Sequence, residues 1–276
     1  MTRIGSDGTS AAVAAPAERI ASAGRMLPAG RIASAGRVAS AGRVAVGPGV
    51  VRAWWADGRG LPAGTVAELA AALPPQERSR YDAVSDPLGR AEFVLARYLL
   101  RSELGRMLGR PPARVGLALD RSGRPWVTDA PGVDVSIAHA AGLVAVAVGS
   151  GLAPRTRIGV DVEEVRTVPR AADLARRLFS PAERARLGRA SGRAGDLLWL
   201  DVWTRREAYV KAVGTGVRAL AGAPEQDVGH LWHPLRLPRG FTGGLVVVDP
   251  GRPARPLPSL SHPTVRVALS KEQFHD

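Results

Sequence analysis

The chain contains no cysteine and only two lysines, Lys211 and Lys271. The first absence excludes disulfides and all thiol-based catalysis, and it agrees with a cytoplasmic location. The second means that 36 of the 38 basic residues are arginine. Arginine is a planar fork of fixed charge, whereas lysine is a compact point charge whose pKa can shift. A lysine kept at 211 in so arginine-committed a chain therefore marks a position where the two are not equivalent. No apolar run approaches the ~20 residues of a membrane-spanning helix, so no membrane association is expected. With no cysteine and little clustering of its five histidines, the chain favours carboxylate oxygen, and so a hard cation, at any metal site.

What is present is a 276-residue chain, 45% hydrophobic, with a formal charge of +13. That length allows one large domain or two small ones. A surface this basic suits a polyanionic small ligand, an acidic protein or nucleic acid. Residues 1–49 stand apart. Arg19, Arg25, Arg31, Arg37 and Arg43 open five hexads, RIASAG, RMLPAG, RIASAG, RVASAG and RVAVGP. A hexad repeat can build a parallel β-helix, and an Arg-rich, acid-poor N-terminus is also a property of transit peptides. Units with so little to bury read instead as a disordered basic tail over 1–49.

From Val50 the pattern changes. Val50 to Trp55 reads as a strand, Thr65 to Leu73 as a short helix, and Asp86-Pro87 as the cap and first turn of a helix running to about Leu108. Short β-rich runs follow at 115–119, 125–128, 133–138 and 143–148. Arg157 to Val162 is another strand, Ser180-Pro181-Ala182-Glu183 a capping box, and Gly195 to Val213 an amphipathic helix. Late strands are expected at 245–249 and 264–269. Helices followed by strands thus occur twice. The expected fold is α+β, built as two similar α/β halves related by a pseudo-twofold, at 50–152 and 153–276.

Trp203, Glu207 and Lys211 are spaced four apart on the last of these helices and so share one face. Taken alone, the stripe reads as a Glu–Lys surface pair beside a core tryptophan. Asp161 and Glu163 alter that reading, because i and i+2 on a strand project together and apolar Ile158 to Val160 precede them. Two carboxylates on one face repel unless a cation or strong donors lie between them. Asp161, Glu163 and Glu207 together make an oxygen-only set suited to Mg²⁺, which commonly keeps open positions for substrate phosphate. Lys211, one turn from Glu207, is placed to neutralise a phosphate oxygen. These residues imply metal-assisted chemistry at a phosphate ester or anhydride, without naming the donor. His139, at the end of a strand, reads alone as structural.

At these residues the chain resembles the 4′-phosphopantetheinyl transferases of the Sfp type. Gly159-Val160-Asp161-Val162-Glu163 resembles the family's (V/I)G(V/I)D(I/V)E motif, and Trp203 to Lys211, WTRREAYVK, resembles its W(S/T)xKE(A/S)xxK motif. Ser122-Gly123-Arg124-Pro125 is similar to the xGKP turn, Ser136 to His139 to the (N/S)xSHS segment, and Pro75 to Tyr81 to the basic segment after the first helix. The likeness spans about residues 50–270. It implies a monomer of two α/β halves with coenzyme A in the cleft between them. It implies transfer of the phosphopantetheine arm to a serine of an apo acyl or peptidyl carrier protein, releasing adenosine 3′,5′-bisphosphate. Carried over by motif, Asp161, Glu163 and Glu207 hold Mg²⁺, Lys211 contacts a phosphate, and Glu207 helps deprotonate the serine. His139 and Arg124, with Arg78 and Arg80, bind the adenosine end and its 3′-phosphate. Trp203 orients the helix by packing. The chain departs from the pattern at Arg124 and Arg206, where lysine is usual, and at Ala138 and Ala140, where serines are usual and could touch coenzyme A.

Two rival readings remain at this level. A nucleic-acid-binding protein would use the basic tail and surface, but needs no carboxylate set and should bind with steep salt dependence; no base-reading motif is recognisable, so no nucleic-acid partner is expected. A family member that binds coenzyme A without transferring it would have no need of Asp161, Glu163, Glu207 and Lys211 together.

Overall fold

The computed structural model describes residues 38–215 and 230–249. The expected strand at 264–269 lies outside the described residues, as does the tail up to residue 37. The remainder of the expected disordered tail is corrected. Val38–Val46 forms a strand, β1, paired antiparallel with β2 (Gly49–Asp57) through a bulge at Ser40/Gly42. The hexad pattern misleads here because one aliphatic per unit is sufficient for an edge strand that needs only one buried face. Ala41 and Val46 are that face, and the Ala41 carbonyl accepts from the Arg236 N–H at 2.9 Å.

Helix α1 (Ala63–Ala71) and α2 (Pro75–Asp82) lead into α3 (Pro87–Leu108). The start of α3 is where Asp86-Pro87 predicts it: the Asp86 carboxylate accepts from the Gly89 N–H at 2.6 Å. Gly109, in the left-handed region at φ 64°, closes it. A 3₁₀ turn at Pro112–Arg114 precedes a small hairpin, β3 (Leu117–Leu119) and β4 (Pro125–Val127). Strands β5 (Asp134–Ala140) and β6 (Leu143–Ser150) complete an antiparallel sheet of order β1-β2-β6-β5. Then come β7 (Arg157–Glu164), α4 (Ala171–Leu178), α5 (Pro181–Leu187) and α6 (Gly192–Val213). Strands β8 (His230–Pro234) and β9 (Phe241–Val248) form the second sheet with β7, in the order β7-β9-β8.

Strand periodicity assigns the layers. On β6, Val144, Val146 and Val148 face α3, where they meet Val94, Leu95 and Leu99. Leu143, Ala145 and Ala147 face the other way, against Ile158, Val160 and Val162 of β7 and Leu245 and Val247 of β9. A strand buried on both faces reads as a continuous apolar run, which β6 is. The molecule is therefore layered as α3, first sheet, second sheet, α6. Each fully buried Leu, Ile or Val in these layers contributes roughly 1.5–3 kcal/mol.

The same alternation sends Gly159, Asp161 and Glu163 away from the inter-sheet core and toward α6. Gly159 is required there. A Cβ at this position would lie 1.8 Å from the Ala208 carbonyl oxygen, so only glycine lets α6 rest on β7. Ala208 and Ala212 supply the matching small face of the helix, both buried against Val246. The N-terminal approach to α6 is fixed by charge. Ser180 and Glu183 form the expected capping box, and Glu183 also receives Arg206 at 2.6 Å, with both side chains buried. The Arg206 Nε donates to the same carboxylate at 3.1 Å. That fork explains arginine at 206, since a lysine has one nitrogen to offer.

Candidate active site

Four side chains converge where α6 crosses β7. Lys211 Nζ donates to Asp161 Oδ1 at 2.6 Å. Asp161 is only 6% exposed, and its second oxygen, Oδ2, is buried with no hydrogen-bond partner. Burial pushes the Asp161 carboxyl up to about 7, Lys211 pulls against that shift, and the nearby Glu207 and Glu163 add to it. Glu207 is likewise raised by burial, opposed by Lys211 and reinforced by Glu163. Asp161 and Glu207 thus each sense neighbouring carboxylates. Glu163 accepts from the Trp203 indole N–H at 3.0 Å, and Trp203 in turn stacks on Trp199 with ring centroids 5.4 Å apart. Trp203 therefore does more than pack: it orients a carboxylate across the helix–strand contact.

Two of these groups, Glu207 and Lys211, border a cleft of about 220 Å³. Its walls include Ser122, Gly123 and Arg124 from the β3–β4 hairpin, Ser136 from β5, and Glu207 and Lys211 from α6. The hairpin, one strand of the first sheet and α6 thus contribute, so the cleft lies between the first sheet and α6.

The remaining expected residues are distributed more widely. His139 sits on β5 rather than beyond it, on the face toward α3, and its Nδ1 pairs with Glu92 Oε2 at 2.8 Å. Glu92 is buried and its other oxygen accepts from the Gly142 N–H at 2.7 Å. Arg78 pairs with Asp82 on its own helix and lies over the Tyr81 ring. Arg80 lines a separate cavity of about 590 Å³ with Arg97, Arg101 and Glu77. Glu77 receives Arg101 at 2.9 Å, and burial draws the Arg97 guanidinium below its ordinary value, with Glu77 opposing and the cations Arg80 and Arg101 assisting. Arg78 and Arg80 are thus not brought to the Lys211 cleft. Strand β3 lines the Arg80 cavity, and the turn that follows it lines the Lys211 cleft.

Arg124 borders the cleft, but its guanidinium is engaged by protein. Nη2 donates to Asp134 Oδ2 at 2.6 Å and to the Ile158 carbonyl at 3.1 Å, and Nε donates to the Lys211 carbonyl at 3.0 Å. The two alanines on β5 are explained by packing. Ala138 and Ala140 face the second sheet and join its core, so a serine at 138 would place a hydroxyl in that core. Asp134, Ser136 and Glu92 are site-building residues to which the sequence reading gave no role. Asp134 and Ser136 carried a signal, two polar side chains at period 2 on an otherwise apolar strand. Glu92 carried none, because nothing in the sequence pairs it with His139.

Among the described residues no three His, Asp or Glu side chains are drawn together as a ready cation cage. The donor chemistry nevertheless fits a hard cation. The candidate ligands are all oxygen, the carboxyls of Asp161 and Glu207 are raised by burial and by neighbouring carboxylates, and Asp161 holds a buried oxygen that nothing satisfies. Unpaired buried carboxylate oxygens are costly and commonly mark an absent ion or water.

Fold and site define an α+β protein with a lysine-bearing cleft beside a cluster of carboxylates, chemistry suited to phosphorylated substrates. The sequence profile of the 4′-phosphopantetheinyl transferase superfamily matches residues 157–233, from β7 through α6 to β8. The 4′-phosphopantetheinyl transferase HetI of Nostoc sp. is 31% identical over 162 residues, which is 58% of this chain and 67% of that protein. A putative 4′-phosphopantetheinyl transferase of Synechocystis sp. is 29% identical over 151 residues, 53% of this chain and 59% of that protein. A 4′-phosphopantetheinyl transferase of Bacillus subtilis is 24% identical over 159 residues, 58% of this chain and 68% of that protein. The chain belongs to the 4′-phosphopantetheinyl transferase superfamily and is an enzyme of that class, whose members use coenzyme A to modify carrier proteins. No helix among the described residues is long and apolar enough to cross a membrane.

Proposed function

We propose that the chain transfers the 4′-phosphopantetheine arm of coenzyme A to a serine of an apo acyl or peptidyl carrier protein, with Mg²⁺ as cofactor. The observation that carries this reading is the Asp161–Lys211 pair, with Glu163 and Glu207 beside it, where Glu207 and Lys211 border the cleft. The carrier serine Oγ attacks the phosphorus on the pantetheine side of the pyrophosphate. The P–O bond to the adenosine side breaks, and adenosine 3′,5′-bisphosphate leaves. Glu207, whose carboxyl is raised toward the range useful for a general base, takes the serine proton. Lys211 neutralises charge on the departing phosphate. Asp161, Glu163 and Glu207 would hold Mg²⁺, which supplies charge neutralisation at the pyrophosphate when bound.

His139, with one ring nitrogen held by Glu92 and its side chain 59% exposed, is free to present the other to an anion. Together with Arg80 and its cationic cavity it supplies the adenosine end of the site, and Arg78 adds positive charge at that end. The chain acts as a cytoplasmic monomer. Its two halves, each an antiparallel sheet carrying one 22-residue helix, are read as a pseudo-twofold pair.

Mass spectrometry of an apo carrier protein incubated with this protein, coenzyme A and Mg²⁺ tests the proposal. A phosphopantetheine mass gain that EDTA abolishes is expected. Glu207→Ala should lower transfer by at least ~100-fold while the circular dichroism spectrum is kept. Full activity in Glu207→Ala, or a gain indifferent to EDTA, overturns the assignment of base and metal.

A further inference from the structure

The most heavily engaged side chain at the cleft belongs to a residue whose motif position implies ligand binding. Arg124 reaches out of the β3–β4 hairpin and touches three other elements. Its Nε donates to the Lys211 carbonyl on α6, and its Nη2 to Asp134 on β5 and to the Ile158 carbonyl on β7. A long contact of 3.5 Å from Nη1 to the Pro125 carbonyl completes the set. Asp134, 4% exposed, accepts a second bond on the same oxygen, from the Ile158 N–H at 2.8 Å. Two residues on, Ser136 Oγ accepts from the Val160 N–H at 3.0 Å. Strands β5 and β7 are edges of different sheets. Along their seam, side chains of β5 satisfy backbone groups of β7 that no ladder satisfies.

The Lys211 carbonyl lies within the last turn of α6, where carbonyls have no intrahelical partner. A guanidinium there caps the helix and complements its dipole. The same group binds Ile158, three residues before Asp161 on β7. One side chain thus ties the backbone of Lys211 to the strand that carries the carboxylate Lys211 pairs with. The planar fork makes this possible. A lysine has a single nitrogen at the end of its stem and cannot place donors at Nε and Nη2 together.

We infer that Arg124, held by Asp134, is a positioning residue that sets Lys211 of α6 against Asp161 of β7, rather than a ligand for the adenosine end of coenzyme A. This inference rests on the transferase reading above. It accounts for the departure from the family's lysine at this position as a change of task. Restoring that lysine should therefore harm this protein.

Steady-state transfer and calorimetric binding of coenzyme A would be measured for Arg124→Lys, Asp134→Asn, Lys211→Met and the double variant Arg124→Lys/Lys211→Met. Arg124→Lys and Asp134→Asn are each expected to lower kcat by tenfold or more, with the coenzyme A dissociation constant within threefold of the wild type. Because Arg124 acts through Lys211, adding Arg124→Lys to Lys211→Met should change kcat less than twofold. Thermal unfolding accompanies each variant, and the comparison with Lys211→Met separates positioning from general loss of structure. An Arg124→Lys variant with undiminished kcat, coenzyme A binding weakened tenfold at unchanged kcat, or fully additive effects with Lys211→Met would each overturn the inference. A wild-type protein that labels no carrier overturns the transferase reading instead, and the inference with it.

Discussion

Asp161 is the residue on which the chemistry and the stability of the site meet. Its carboxyl is raised to about 7, chiefly by burial. A proton bound in the folded state up to that pH is released from the unfolded chain near pH 4. Between those values the folded state holds more protons, so the metal-free protein loses stability as pH rises from about 4 to about 7. Below pH 4 the contribution is fully present. Urea unfolding of the EDTA-treated protein at intervals across this range should show that decline, and Asp161→Asn should flatten it. Mg²⁺ at pH 7.5 should raise the melting temperature of the wild type and leave Asp161→Asn nearly unmoved, because ligand binding to the folded state alone is stabilising. Equal shifts in both proteins would remove Asp161 from the metal site.

At the scale of elements, the contact between β7 and α6 decides whether the site exists. Its closeness depends on Gly159 against Ala208 and Ala212. Gly159→Ala would force the helix off the strand, since the added carbon would meet backbone atoms that cannot move aside. A loss of at least ~2 kcal/mol in chemical denaturation is expected. Transfer activity should fall well beyond that, as Glu207 and Lys211 retreat from Asp161 and Glu163. An active Gly159→Ala protein of wild-type stability would show that the helix does not rest on β7 as described. Much of this element-level structure was legible in the sequence. The cap at Asp86, the box at Ser180 and Glu183, and the period of four joining Trp203, Glu207 and Lys211 are local signals, set by backbone groups within a turn or two. The Glu92–His139 pair was not legible, because its partners lie on different elements joined only by folding. For the same reason the commitment of Arg124 to Asp134 could not be read from the turn in which it sits.

At the scale of the molecule, the first sheet extends further toward the N-terminus than composition implies. Strand β1 covers the edge of β2, and it reaches the second half of the chain through Ala41 and Arg236. Trp55 repeats that link, its indole N–H donating to the Arg236 carbonyl at 3.1 Å. Deleting residues 1–47 would uncover this edge and break the β1 link to Arg236, beyond β8. An exposed strand edge is a template for aggregation. The truncated protein should melt several degrees lower and gain mass with concentration in light scattering. Unchanged melting would mean that β1 adds nothing to the fold.

The sequence by itself determined the inventory of the site and the elements that carry it: a helix with a carboxylate and a lysine one turn apart, a strand offering two carboxylates on one face, and no cysteine to draw a soft metal. Those are properties of period and composition, and they survive in any local reading. Tertiary structure decided which of the cations serve the cleft. Arg124, Arg206 and Arg101 are all arginines in the sequence, yet each is held by a buried carboxylate from another element, Asp134, Glu183 or Glu77. Removing a charge from water requires a partner close by. Which partner arrives is set by how the sheets and helices stack, and no window of sequence contains that.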